Sequence, residues 1–196
     1  MLNLPNLLTI LRILMVPAYL AVFYSDLQYA NQIALVLFVA AALTDILDGY
    51  LARKYKLVTN LGKIMDPVAD KILVATAMIA LVDADRLVAW IAMAMLFRDF
   101  AVDALRSIAA AAGTVIAAGP WGKLKTLIQI FALSFLMFGD TLSLYPAFGI
   151  STLHASGIAI PAHLIGTILI YIALVASIFS GIVYYRQYFR FLKSSN

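Results

Sequence analysis

Cysteine and glutamate are absent from this 196-residue chain, and only 12% of its residues are charged. Without cysteine there is no disulfide, no thiolate metal site and no cysteine nucleophile. Without glutamate, ten aspartates are the only carboxylate side chains. Histidine is scarce as well: His154 and His163 sit outside the apolar runs, which leaves a Ser-His-Asp arrangement little to build on. What the chain has in quantity is apolar. Hydrophobic residues make up 64% of it, far above a soluble globule, so it reads as an all-α, polytopic integral membrane protein. Its length suits a single domain, 1–196.

Six segments are long enough to cross a bilayer, near 7–24, 31–52, 64–82, 87–111, 122–144 and 162–185, with room for a short juxtamembrane helix ahead of the first. Connectors are short except for 139–161, which is rich in Gly, Ser, Thr and Pro and has room for a short interfacial helix. No cleavable signal peptide is recognisable, because the only early basic residue, Arg12, lies inside the first apolar run; the first helix is expected to stay as an anchor. Six spans put the N-terminus, the 53–63 and 112–121 loops and the C-terminus on one side, with Arg53, Lys54, Lys56, Lys63, Lys123, Lys125, Arg186, Arg190 and Lys193. The other side has Arg86 among Asp26, Asp83, Asp85 and Asp140. The positive-inside rule makes the first side cytoplasmic. The net charge of +4 is then a topology signal and an attraction to anionic lipid, not a nucleic-acid footprint.

Residues 45–70, DILDGYLARKYKLVTNLGKIMDPVAD, hold four aspartates between apolar runs: Asp45, Asp48, Asp66 and Asp70. Each would oppose insertion by roughly 2.5–3.5 kcal/mol at the centre of a membrane helix, so something must offset them. Asp45 and Asp48 are three apart and share a helix face with Gly49 and Ala52, with Arg53 at its edge; Asp66 and Asp70 are four apart on the next helix. Two close carboxylate pairs form a set of hard oxygen ligands suited to two divalent cations, Mg²⁺ or Mn²⁺, the usual clamp for phosphoryl transfer. Two other readings stay open on these residues alone: an ion or proton path, and structural pairing with Lys or Arg.

Other polar positions are fewer. Asn6, Thr9 and Arg12 recur every third residue on the first helix, where Asn6 suits a cap and Arg12 a side chain reaching the headgroups. Pro5 suits a helix start and Pro17 a bend. Gly62 allows a tight turn before the third span, and Asp66-Pro67 reads as the start or a kink of that helix. Lys54-Tyr55-Lys56 reads as a membrane anchor, and Lys71 as a partner for lipid phosphate. The fourth span carries Arg98, Asp99, Asp103 and Arg106, either an intrahelical ion-pair ladder or, with Lys123 and Lys125, a basic pocket for an acceptor that carries a phosphate. Tyr184-Tyr185-Arg186-Gln187-Tyr188-Phe189-Arg190 reads as an aromatic belt with basic anchors.

The pattern Asp45-x₂-Asp48-Gly49-x₂-Ala52-Arg53-x₈-Gly62-x₃-Asp66-x₃-Asp70 resembles the signature of the CDP-alcohol phosphatidyltransferases at every fixed position. Pro5-Asn6-x₂-Thr9-x₂-Arg12, Arg98-x₇-Arg106 and Gly122-Lys123-x-Lys125-Thr126 resemble the bacterial members that use glycerol 3-phosphate, which commonly have Glu where this chain has Asp99. The resemblance implies a homodimer in the bacterial cytoplasmic membrane, with its termini and active site facing the cytoplasm. It implies transfer of the phosphatidyl group of CDP-diacylglycerol to sn-glycerol 3-phosphate, giving phosphatidylglycerol phosphate and CMP. Asp45, Asp48, Asp66 and Asp70 would hold two metals, and Asp70, the least tightly coordinated, would also act as general base. Asn6, Thr9, Asp48, Gly49, Ala52, Arg53 and Gly62 would border the CDP moiety, and Arg98, Arg106, Lys123 and Lys125 the acceptor phosphate. The competing readings are another acceptor (inositol phosphate, serine or phosphatidylglycerol), an intramembrane prenyltransferase, and an ion-coupled transporter.

Overall fold

The computed structural model describes residues 4–55, 60–111, 120–138 and 162–195, with side chains at 7–45, 68–110, 122, 124–138, 162–186 and 188–189. Six α-helices account for it: α1 (Leu4–Phe23), α2 (Ala30–Tyr55), α3 (Asn60–Asp83), α4 (Ala89–Ala111), α5 (Pro120–Met137) and α6 (Ala162–Ser195). The all-α expectation holds for these residues.

Three helix ends depart from the sequence reading. α3 begins at Asn60, so Gly62 lies in its first turn and Asp66-Pro67 falls inside the helix; neither marks a turn or a start. Leu61, Lys63, Ile64 and Met65 favour helix strongly enough to carry it through Pro67, whose ring removes one backbone bond. α5 stops at Met137, with 138 in a turn, where the sequence reading continued to 144; the rest of that loop, 139–161, lies outside the described residues. α6 continues ten residues past 185, because no Gly or Pro follows Gly181. His163 is the second residue of this helix and not outside it.

Only one described stretch, Ala162–Arg186 of α6, is by itself long and apolar enough to cross a bilayer. α1, α2 and α5 carry the shorter apolar stretches Leu7–Phe23, Ala30–Asp45 and Leu124–Met137. Charged side chains such as Asp45 and Lys125 bound the shorter apolar stretches. The outside is nonetheless greasy on every helix: Leu14, Val36, Ile79, Phe97, Phe131 and Val175 are each at least 60% exposed. The interior is narrow, with Ala34, Ala41, Ala77, Ala132 and Ala173 fully buried. Small residues inside and large apolar ones outside are the pattern of helices packed in hydrocarbon.

One end of the bundle is tied by Arg86. α3 closes in a Schellman turn, with Arg86 N–H donating to Leu81 O at 2.8 Å and Asp85 N–H to Val82 O at 3.1 Å. Asp85 adopts φ 55°, a left-handed conformation that aspartate tolerates. The turn aims Arg86 so that Nη1 donates to Asn31 Oδ1 and to Met137 O, each at 3.2 Å, while its guanidinium lies 6.0 Å from the Phe23 ring centroid. The ends of α1, α3 and α5 and the start of α2 thus meet at one cation. Asp45 and Asp70 stand 15 residues into α2 and 13 before the end of α3. At 1.5 Å per residue that is about 20 Å along the helices from this end.

α6 packs most extensively on α5. A Cβ built at Gly166 would stand 2.8 Å from Leu136 Cγ and 2.9 Å from its backbone nitrogen, so the two helices touch where only glycine fits. Gly122 has nothing within 4 Å. Gly166→Ala should lower stability by about 1–3 kcal/mol by forcing α5 and α6 apart, while Gly122→Ala should leave it unchanged or slightly raised. Unfolding midpoints of the two variants in one detergent check this.

Candidate active site

The acidic stretch is carried by α2 and α3, which bring Asp45 and Asp70 to the wall of one cavity. That cavity, of about 380 Å³, is lined by Phe38, Ala42, Asp45, Asp70, Leu73, Val74, Thr126, Leu127 and Ile130. It is apolar apart from Thr126 and the two carboxylates. Asp48 and Asp66 lie on α2 and α3, but their side chains are outside the described residues. So are the side chains of Asn6, Gly49, Ala52, Arg53 and Gly62, all expected at the CDP moiety, and that of Lys123. Thr9 is buried on α1 and lines neither this cavity nor the next.

A second cavity, of about 230 Å³, opens on the other side of Asp70. Its wall includes Lys71, Arg98, Asp99, Asp103, Arg106, Lys125, Gln129 and Tyr184, and Asp70, Val74 and Thr126 belong to both cavities. Three of the four basic residues expected around an acceptor phosphate, Arg98, Arg106 and Lys125, are therefore brought together beside Asp70.

Arg12 departs from its expected role. It does not reach toward headgroups; it is fully buried, and Nη1 lies 2.8 Å from Asp45 Oδ1, joining α1 to α2. Its length lets it cross to the neighbouring helix, and burial of a guanidinium requires such a partner. Lys71 departs too: it is paired with Asp103 of α4, not with lipid.

The polar set on α4 is more than an intrahelical ladder. Arg98 Nη1 does bond Asp99 Oδ1 at 2.9 Å, but Lys125 Nζ reaches across from α5 to both Asp99 oxygens, at 2.7 and 2.6 Å. Lys125 is almost completely buried, and a buried ammonium held between two carboxylate oxygens is a tight pair. The carboxylates thus occupy cations around the cavity. Both described lysines of the cavity wall, Lys71 and Lys125, are neutralised by carboxylates of α4.

Sequence reasoning missed Lys71, Gln129 and Tyr184 as cavity residues. Gln129 Nε2 donates to Met78 Sδ at 3.4 Å deep between α5 and α3. Tyr184 was grouped with the aromatic belt, a role that fits its neighbour: Tyr185 is exposed and stacks on Phe189, centroids 4.7 Å apart, whereas Tyr184 is 6% exposed. The signal available was its spacing, four residues beyond Ser180 and seven beyond Ser177, which marks an inward face of α6.

Among the described residues no group of three or more His, Cys, Asp or Glu side chains forms a metal site. Of the four aspartates expected to hold metal, the two whose side chains are described, Asp45 and Asp70, line one cavity and have the oxygen-donor chemistry of a hard divalent cation.

A sequence model of the CDP-alcohol phosphatidyltransferase family matches residues 2–179. A CDP-diacylglycerol–glycerol-3-phosphate 3-phosphatidyltransferase of Rickettsia typhi is 38% identical over 184 residues, covering 94% of this chain and 96% of the relative. The protein of that name in Bacillus subtilis is 34% identical over 208 aligned positions, covering 100% of both chains. The one in Haemophilus influenzae is 39% identical over 141 residues, 69% of this chain and 76% of the relative. Matched from end to end, the chain belongs to the CDP-alcohol phosphatidyltransferase family, a family of membrane enzymes.

Proposed function

We propose that this protein transfers the phosphatidyl group of CDP-diacylglycerol to sn-glycerol 3-phosphate, giving phosphatidylglycerol phosphate and CMP in phospholipid biosynthesis. The names of its relatives support the two substrates. The observation that carries the reading is the place of Asp70, which lines both the cavity with Asp45 and the cavity with Arg98, Arg106 and Lys125. One carboxylate touching both spaces is what a transfer between a nucleotide-linked donor and a phosphorylated acceptor needs.

On this reading the acceptor's phosphate docks among Arg106, Arg98, Lys125 and Lys123, which orients its free primary hydroxyl toward Asp70. The hydroxyl oxygen forms a bond to the phosphatidyl phosphorus, and Asp70 takes its proton. The bond from that phosphorus to the diphosphate bridging oxygen breaks, and its electron pair leaves with CMP. Asp45, Asp48, Asp66 and Asp70 would hold two divalent cations, Mg²⁺ or Mn²⁺, which when bound neutralise charge developing on the diphosphate. By the family resemblance, Gly49, Ala52 and Arg53 would border the nucleotide, with Arg53 a ligand for its phosphate. The lipid tails stay in the bilayer. The site lies in the half of the bundle away from Arg86, and the basic loops at that end support a cytoplasmic opening.

Purified protein given CDP-diacylglycerol, glycerol 3-phosphate and Mg²⁺ or Mn²⁺ in lipid vesicles should release CMP. Serine, which has no phosphate, should support little release; inositol phosphate and phosphatidylglycerol serve as the other acceptors to compare. Asp70→Asn should reduce release at least about a hundredfold, as loss of a general base does, with the helical content unchanged. Wild-type turnover in that variant would remove Asp70 from the mechanism, and CMP release independent of glycerol 3-phosphate would remove the acceptor.

A further inference from the structure

Arg98 and Arg106 sit on the same helix, line the same cavity and both lean on α6, yet α6 holds them in different ways. Arg98 is used up. Its Nε donates to Ser177 O at 2.9 Å, Nη2 to Ser180 Oγ at 2.5 Å and Nη1 to Asp99 Oδ1 at 2.9 Å. Gly181 makes room for it, since a Cβ there would come within 3.3 Å of Arg98 Cγ. With each of its three nitrogens engaged, Arg98 is a brace between α4 and α6.

Arg106 is held by one residue. Its Nη2 donates to the Tyr184 hydroxyl oxygen at 2.5 Å, and its guanidinium carbon lies 4.8 Å from the centroid of the Tyr184 ring. The buried Nε–H of Arg106 has no hydrogen-bond acceptor among the described residues. A guanidinium is effective against phosphate only when its planar fork is set at the right angle. Here the phenol oxygen and the ring face together fix that plane.

We infer that Tyr184 is a positioning residue for the acceptor's phosphate, its hydroxyl and ring fixing the plane of Arg106 in the cavity wall so that the guanidinium meets the phosphate there. The inference rests on the acceptor-pocket reading above. Within that pocket it gives Arg106 the closest grip on the phosphate, with Arg98 contributing its charge from the bracing position, and it makes α6 part of the acceptor site.

Tyr184→Phe keeps the ring and removes the oxygen that accepts from Arg106. Steady-state kinetics in vesicles should show KM for glycerol 3-phosphate raised at least about tenfold, the loss of one hydrogen bond to a charged group. The turnover number at saturation and KM for CDP-diacylglycerol should stay within about twofold, and the unfolding midpoint should match wild type. Arg106→Met, measured beside it, separates the two levels of the argument. If Arg106→Met raises KM for glycerol 3-phosphate and Tyr184→Phe does not, Tyr184 has no positioning role and the pocket stands. If Arg106→Met leaves that KM unchanged, the pocket assignment fails and takes the inference with it. A Tyr184→Phe effect spread equally over both substrates and the turnover number also overturns it, because that is what general loosening of α6 would give.

Discussion

A charge inside an apolar helical bundle is tolerable only when an opposite charge or a full set of hydrogen bonds meets it. An ion left alone there costs several kcal/mol, and breaking one buried pair typically costs 3–5 kcal/mol. The pairs in this protein obey that constraint by crossing between helices. Arg12 of α1 meets Asp45 of α2, Lys71 of α3 meets Asp103 of α4, and Lys125 of α5 meets Asp99 of α4. Arg98 reaches from α4 to α6 through Ser177 and Ser180. Every helix is thereby tied to another through a polar contact, in the same slab of the bundle. Apolar packing alone has little orienting power among helices whose outer faces are as hydrophobic as their contacts.

The same contacts shape the chemistry. Because the charges have to pair, Asp99 holds Arg98 and Lys125 together in one cavity wall, and on the proposed reading the acceptor's phosphate would meet cations already gathered. Electrostatic preorganisation of this kind spares the site the cost of collecting charge at the moment of reaction. Asp70 lines both the cavity with this basic set and the cavity with Asp45, where the proposed reaction would need its proton acceptor. Arg86, at the opposite end, shows the rule applied to architecture: it gathers Asn31, the end of α5 and an aromatic ring.

The sequence revealed the parts of this arrangement whose logic is local. Asp45 and Asp48 three apart, and Asp66 and Asp70 four apart, declare a shared helix face because helical geometry fixes it. The count of six helices followed from the apolar runs. What crosses between helices was not readable in this way. Arg12 is 33 positions from Asp45 and Lys71 is 32 from Asp103, and nothing in a local pattern says which side chain a buried cation will meet. Tyr184 stands beside Tyr185 in a stretch that looks uniformly interfacial, and only the rotation of α6 separates the buried ring from the exposed one. Helix starts were misjudged where proline was taken as a boundary: Pro67 is tolerated inside α3 because good helix formers precede it.

The central claim is that carboxylates from α2 and α3 converge on shared divalent cations at the wall between the two cavities. Mn²⁺ binding measured by electron paramagnetic resonance, with the protein in lipid nanodiscs, tests it without relying on turnover. Wild type should bind Mn²⁺, and Asp45→Asn on α2 and Asp70→Asn on α3 should each weaken that binding by at least about tenfold. Wild-type affinity and stoichiometry in either variant would contradict the account.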